Sequence, residues 1–275
     1  MAFDPRGTQM TLQAEDIRLT RGSNIVLDGL TTRIPQGAFT AIVGPNGCGK
    51  STLLLTLSRI LAPSHGQVVL DGKAIARMPA RDLARQIGLM PQTSTAPDGM
   101  TVAELVACGR FPHQGPLRQW SPKDEQAVRR ALNATGLTDL ATRHVNELSG
   151  GQRQRVWVAL VLAQETPHVL LDEPTSFLDI THQMELMILL ERLNQHNGQT
   201  VVAVLHDLNQ ACRFATHMIA MRKGRIIAEG RPADVVTRQM VADVYGLDAL
   251  IISDPVSGTP MIVPRGGSLD TSSPS

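Results

Sequence analysis

The chain has 275 residues, enough to bury a sizeable core in one large domain or two modest lobes. Its 26 Lys and Arg against 25 Asp and Glu leave a net charge of +1, and only 3% of residues are aromatic; neither a basic nucleic-acid-coating surface nor a set of base-stacking platforms fits that balance. The three cysteines, Cys48, Cys108 and Cys212, are an odd number at wide spacing, which suits neither a disulfide framework nor a CxxC metal site and points to a reducing, cytosolic compartment.

The opening stretch, MAFDPRGTQMTLQAEDIRL, lacks the charged start and apolar run of a secretory signal. From Leu12 to Thr32, alternating stretches around a Gly-Ser-Asn turn predict short antiparallel strands. FTAIVG at 39–44 is an apolar run of strand length ending in glycine, and STLLLTLSRIL after it has helical spacing. The apolar stretch at 53–62 falls well short of the roughly 18–20 residues that span a bilayer. GQVVLDGKAI at 66–75 returns to strand character with an Asp-Gly turn, and IGLMPQ at 87–92 is a further short strand. Between Met100 and Ala163 the patterns TVAELVACG, DEQAVRRALNATG and GQRQRVWVALVLAQ are all helical, which predicts a helical insertion. VLLDEP (169–174) and VVAVLH (201–206) are strands separated by the helical ITHQMELMILLERLNQ, so the core is a βαβ series of the α/β class with a mostly parallel sheet. MIAMRKGRIIAEG at 218–230 reads as a closing hairpin, and the last dozen residues, PRGGSLDTSSPS, as a disordered tail.

GPNGCGKS fits the P-loop pattern throughout and stands between a buried strand and a helix, the context that separates this motif from a plain glycine turn. Gly44, Pro45, Asn46, Gly47, Cys48 and Gly49 form the loop that wraps phosphates. Lys50 reaches the β- and γ-phosphates, Ser51 is a Mg²⁺ ligand and Thr52 a phosphate donor. No [NT]-K-x-D element accompanies the loop, which favours ATP over GTP. A helix N-terminus tends to lower the thiol pKa of a residue placed like Cys48, while the plainer reading makes Cys48 a tolerated small residue. Asp172 and Glu173 end a buried strand on the edge where ligands of a parallel sheet collect. Adjacent strand residues point to opposite sides, so the two acids are expected to differ in role: Asp172 for Mg²⁺, Glu173 for activating the attacking water. Gln92 and His206 end strands on the same edge, Gln92 for Mg²⁺ or the attacking water, His206 for the γ-phosphate and for holding Glu173.

A second potential phosphate grip stands in NELSGGQRQR, 146–155. A Ser-capped helix start accounts for Ser149 but supplies no reason for the second glycine or for Gln152. With GPNGCGKST, MPQ, LSGGQRQR, LLDEPTSFLD and VLHD in this order, the chain resembles the nucleotide-binding subunit of an ABC transporter from about Leu12 to about Pro264. The resemblance implies a P-loop NTPase core with an N-terminal antiparallel β subdomain. The nucleotide-binding domain would span 12–254 with a helical subdomain at about 96–163, followed by a C-terminal extension at 255–275. It also implies a homodimer in which Ser149, Gly150 and Gly151 contact the partner's γ-phosphate, Gln152 completes that face, and Asp179 lies at the seam. Arg21 occupies the place of the usual aromatic that stacks on adenine, and a guanidinium can also lie flat on a base.

Several stretches, LMPQTSTAPDGMTVAELVACGRFPHQGPLRQWSPKDEQAV and VLHDLNQACRFATHMIAMRKGRIIAEG among them, are similar to the ATPases of iron(III)-siderophore importers of the enterobactin or citrate type. That similarity implies two permease subunits, a periplasmic binding protein, and a peripheral position on the cytoplasmic face of the bacterial inner membrane. It also implies a docking groove along Gln92 to Trp120, in which Met90, Met100, Phe111 and Trp120 serve either the permease or ordinary packing. A cobalamin or haem cargo is the alternative. A soluble ABC ATPase acting on ribosomes or DNA fits less well, because the chain has one P-loop and no sustained heptads.

Overall fold

The computed structural model describes residues 11–92, 95–115 and 120–268. Thr93, Ser94 and residues 116–119 of the expected docking groove, the first ten residues, and the end of the expected tail lie outside the described residues.

Strands β1 (Leu12–Arg21) and β2 (Asn24–Ile34) pair antiparallel from Leu12↔Ile34 to Arg21↔Asn24. Gly22, at φ 58°, makes the left-handed turn between them. Strands β4 (His65–Leu70) and β5 (Lys73–Ala74) extend this sheet in the order β2-β1-β4-β5. The central sheet takes β3 (Phe39–Val43), β6 (Ile87–Met90), β7 (His168–Asp172), β8 (Thr200–Val204), β9 (His217–Arg222) and β10 (Arg225–Gly230) in the order β10-β9-β3-β8-β7-β6. Every neighbouring pair in it is parallel except the β9–β10 hairpin.

Side-chain alternation divides the central strands between two apolar layers. Phe39, Ala41, Val169, Leu171, Val201 and Ala203 face helices α5 (Gly150–Ala163), α6 (Ile180–Asn197) and α7 (Leu208–Phe214). Ile42, Leu170, Val202 and Val204 face α1 (Lys50–Leu57) and the antiparallel sheet. Helices α2 (Ala80–Ala84), α8 (Pro232–Val235) and α9 (Arg238–Tyr245) complete the core.

Helices α3 (Val102–Ala107) and α4 (Pro122–Ala134) have their own apolar cluster, in which Val102, Leu105, Val128 and Leu132 pack against Val156, Ala159 and Ala163 of α5. Helix α5 belongs to both bodies, since Val158 and Val161 on its other face enter the central core. Burying the side chain of Arg110 is tolerated because it bonds to Asp124 at 3.0 Å, Glu165 at 2.9 Å and the Ala163 carbonyl at 2.7 Å.

The C-terminus differs from the expectation. Strands β11 (Leu247–Ser253) and β12 (Pro260–Ser268) form a hairpin, so a boundary at 254/255 cuts through one supersecondary unit. Residues 264–268, expected to be disordered, run in β12, with Ala249 opposite Pro264 and Leu247 opposite Ser268. Two features hold a polar, turn-rich stretch in place. The Asn209 amide on α7 brackets Ile262, donating to its carbonyl (3.2 Å) and accepting from its N–H (2.7 Å). In a two-stranded hairpin each strand keeps a free edge, where the missing N–H of Pro264 costs no ladder bond.

Asp124 is fully buried and Arg110 is its cationic partner. Replacing Arg110→Met should therefore lower stability by about 3–5 kcal/mol, read from urea unfolding. Adding Asp124→Asn, which removes the orphaned charge but keeps an oxygen for the Ser121 cap of α4, should restore part of that loss.

Candidate functional site

Three parallel strands end at one level because Val204 of β8 pairs with Ile42 of β3 on one side and with Asp172 of β7 on the other. The residues that follow, Gly44, Glu173 and His206, therefore meet at one edge of the sheet. A cleft of about 420 Å³ opens there, lined by Arg21, Asn46, Gly47, Gly49, Lys50, Ser51, Thr52, Gln92, Glu173 and His206. Of the expected residues, Asn46, Gly47, Gly49, Lys50, Ser51 and Thr52 of the P-loop come together in it with Gln92, Glu173, His206 and Arg21, and Val26 joins them on its wall; Gly44, Pro45, Cys48 and Asp172 do not line it.

Backbone conformation explains the loop glycines. Gly44 has φ 147°, and a Cβ there would lie 2.2 Å from the Met221 carbonyl oxygen. Gly49, the N-cap of α1 at φ 108°, offers no side-chain oxygen, so the first N–H groups of the helix stay available to an anion. Pro45, Asn46, Gly47 and Cys48 complete the turn, with the Cys48 N–H closing on the Pro45 carbonyl at 3.3 Å. The buried Lys50 ammonium donates to the carbonyls of Gly44 (2.8 Å) and Pro45 (3.1 Å), which holds the charge over the loop's concave face.

Asp172 is buried and accepts from the Ser51 hydroxyl at 2.9 Å. Burial pushes its carboxyl up and the adjacent Glu173 charge adds to this, while the Ser51 bond and Lys50 pull the other way. Glu173 lies beyond the strand end, at φ 53° in the left-handed region, so alternation along a strand does not separate the two acids. The backbone turns instead and aims Glu173 into the cleft, where its carboxylate meets His206 Nε2 at 2.7 Å.

That conformation costs about 1–2 kcal/mol and persists only when its surroundings hold it. The Glu173 carbonyl accepts from Ser176 N–H (3.2 Å), Ser176 Oγ (2.7 Å) and Gln154 Nε2 (3.1 Å). Gln154 and Ser176 are absent from the sequence reading. The signal for Gln154 was present: an amide on the α5 face shared with Val158 and Val161 is a polar group facing a core.

The second expected grip is built differently. Ser149 caps α5 in a capping box, its hydroxyl accepting from Gln152 N–H (3.2 Å) and its N–H donating to Gln152 Oε1 (3.0 Å). Gln152 is thus explained by the helix start itself, contrary to expectation. Gly151 has a packing reason too, since a Cβ there would sit 3.1 Å from Leu178. Ser149, Gly150, Gly151, Gln152 and Asp179 line a separate cleft of about 400 Å³ that shares no residue with the P-loop cleft. Asp179 caps α6, and the His182 backbone N–H holds its carboxyl below the ordinary range.

Around Gln92 a smaller cleft of about 240 Å³ joins Met90, Pro91, Trp157 and Phe177. Met90 is core, Met100 packs on the helical cluster, and Phe111 and Trp120 are exposed.

Cys48 is buried and its thiol is pushed up by that burial, which outweighs Lys50 and the helix N-terminus. At neutral pH Cys48 should therefore react with iodoacetamide more slowly than a free thiol, and the rate should climb at higher pH than for a free thiol as the thiolate forms. Peptide mapping across a pH series reads this directly.

Comparison with known proteins agrees with this geometry. The ABC transporter family model matches residues 27–176. The ferric enterobactin transport ATP-binding protein FepC of Escherichia coli is 55% identical over 93% of this chain and 94% of its own length. The probable siderophore transport system ATP-binding protein YusV of Bacillus subtilis is 49% identical over 93% of both. Among solved structures, an inward-facing ABC transporter assigned to the metal-chelate type superposes with a TM-score of 0.79 at 29% identity, over 94% of this chain and 98% of that one. The dimeric cassette MJ0796 superposes with a TM-score of 0.73 at 30% identity, over 80% and 98%. The chain belongs to the ABC transporter family, as one of its ATP-binding cassettes.

Proposed function

We propose that this cassette is the ATP-hydrolysing subunit of an importer that energises uptake of an iron(III)-siderophore complex. The observation that carries the ATPase reading is the single cleft lined by Lys50, Ser51 and the Glu173–His206 pair, with the buried Asp172 accepting from Ser51. Glu173 takes a proton from the attacking water, whose oxygen bonds to the γ-phosphorus as the bond to the bridging oxygen of ADP breaks. His206 keeps the base aimed, and Lys50 with the α1 N–H groups offsets the charge that develops on the phosphates. Ser51, Asp172 and Gln92 offer hard oxygen atoms of the kind Mg²⁺ prefers. When bound there, Mg²⁺ supplies charge neutralisation at the phosphates.

The cleft at Ser149, Gly150, Gly151, Gln152 and Asp179 serves the nucleotide of a second copy. Its separation from the P-loop cleft supports this, as does the similarity to a cassette solved as a dimer. The Ser149 hydroxyl, although it accepts the Gln152 N–H, keeps its own proton to donate to a phosphate oxygen. Arg21 lies flat against the adenine. Two permease subunits dock along the segment from Gln92 to Trp120, whose Phe111 and Trp120 are exposed, and a periplasmic binding protein delivers the chelate. Among the described residues no helix is long and apolar enough to cross a membrane, which suits a peripheral subunit on the cytoplasmic face of the inner membrane.

For the cargo, the support is the names of the relatives, which include an iron(3+)-hydroxamate import ATP-binding protein of Bacillus subtilis at 45% identity. A hemin import ATP-binding protein of Myxococcus xanthus, at 39%, marks haem as the second reading.

In the assembled complex, Glu173→Gln should cut turnover by at least about 100-fold and leave a closed, ATP-bound dimer; turnover at the wild-type rate would remove Glu173 as the base. Ser149→Arg should abolish hydrolysis while the isolated chain still binds ATP, measured by nucleotide titration. Deleting the chain should abolish cellular uptake of at least one radiolabelled iron chelate, and unchanged uptake of a whole panel would exclude the siderophore assignment.

A further inference from the structure

Gln154 joins the two phosphate-handling ends of this chain. It sits on α5, the helix whose N-terminus carries Ser149 and Gly150, and five residues of helix place it about 7.5 Å along the axis from Ser149. The residue is only 8% exposed and its amide nitrogen donates to two successive carbonyls, Glu173 at 3.1 Å and Pro174 at 3.2 Å. An amide NH₂ carries two hydrogens, so one group satisfies both acceptors.

These carbonyls flank the turn that aims Glu173. The residue is left-handed at φ 53°, and Pro174 offers no N–H through which the turn could be tied down. Its restraints come from three places: Ser176 in the following loop, His206 at the end of β8, and Gln154 on α5. Only the last belongs to an element that also packs with the helical cluster and presents its own N-terminus in a different cleft.

We propose that Gln154 is a positioning residue which couples engagement of the α5 N-terminus to the orientation of the Glu173 carboxylate in the same chain; this rests on the assignment of Glu173 as general base. When Ser149 and the glycines close on the partner's nucleotide, α5 moves as a rigid rod, and the Gln154 amide carries that movement to the Glu173 carbonyl. The carboxylate is then aligned only in a chain that is itself gripping its neighbour. Each site in the dimer thereby reports to the other through one side chain.

The test uses the assembled complex with its permeases. Gln154→Met keeps the volume and removes both donors. It should lower kcat by roughly 10- to 100-fold, as expected when a catalytic group is misplaced by about 1 Å, with KM for ATP unchanged because Gln154 does not line the P-loop cleft. ATP-dependent dimerisation, read in a Glu173→Gln background, should persist. Ser176→Ala removes a donor from the same carbonyl without touching α5; it should lower kcat less, again at constant KM, and keeps the idea testable if Gln154→Met does not fold.

Transmission is read from a double-mutant cycle on kcat. Ser149→Ala combined with Gln154→Met should lose less than the product of the single losses. A multiplicative result, a kcat equal to wild type in both Gln154→Met and Ser176→Ala, or a KM that rises in step with the fall in kcat would each overturn the proposal. A wild-type complex that hydrolyses no ATP would instead remove the ATPase reading on which it rests.

Discussion

The site depends on the main-chain ladder of the central sheet. Parallel pairing of β3, β8 and β7 puts their carboxyl ends on the same edge, and the shared partner Val204 sets them level to within one residue. A slip of one position in β7 would turn Leu171 away from the helices and Leu170 away from α1, exchanging residues between the two apolar layers. The register is therefore held by buried apolar area on both faces, at about 25 cal/mol per Å² of area removed from water. The polar groups at the strand ends then have little freedom in where they sit. Lys50, Ser51, Glu173 and His206 share one cleft, with the buried Asp172 bonded to Ser51, because of hydrophobic packing along the strands that carry them.

Two helix N-termini in this chain carry glycines beside a serine, and their physics is opposite. At α1 the N-cap is Gly49 in a left-handed conformation, which has no side chain to satisfy the leading N–H groups. At α5 the Ser149–Gln152 box occupies the Ser149 and Gln152 N–H groups, leaving the serine hydroxyl proton and the N–H groups of Gly150 and Gly151 at the helix start. The first is shaped to surround phosphates with backbone; the second is a capped helix start that presents a hydroxyl and two glycine N–H groups outward. This difference suits the division of labour proposed for them, one binding its own chain's nucleotide and the other touching a nucleotide held by a second copy.

Reading by pattern succeeded where a motif is local and continuous. The P-loop was legible because its glycines, lysine and serine are adjacent, and the strand and helix that flank it have distinct periods. Reading failed where a residue's meaning depends on a partner distant in sequence. Strand alternation predicts a direction for Glu173, yet the strand stops at Asp172 and the direction comes from a left-handed turn held by Gln154, nineteen positions earlier. Residues 264–268 differ for the same reason: polar, turn-rich composition suggests disorder, and the Asn209 bracket and the β11 ladder hold them in a strand.

By itself, the sequence determined the α/β class, the strand-loop-helix that binds phosphate, the helical insertion and the list of polar residues that end strands. These follow from hydrophobic period and from backbone-permissive residues, which act over a few neighbours. Only the tertiary structure decided which of those residues share a cleft, that Ser149 and Lys50 do not, and what keeps Glu173 in a conformation the backbone alone disfavours. Those outcomes rest on register across the sheet and on hydrogen bonds between distant segments, and neither leaves a local trace along the chain.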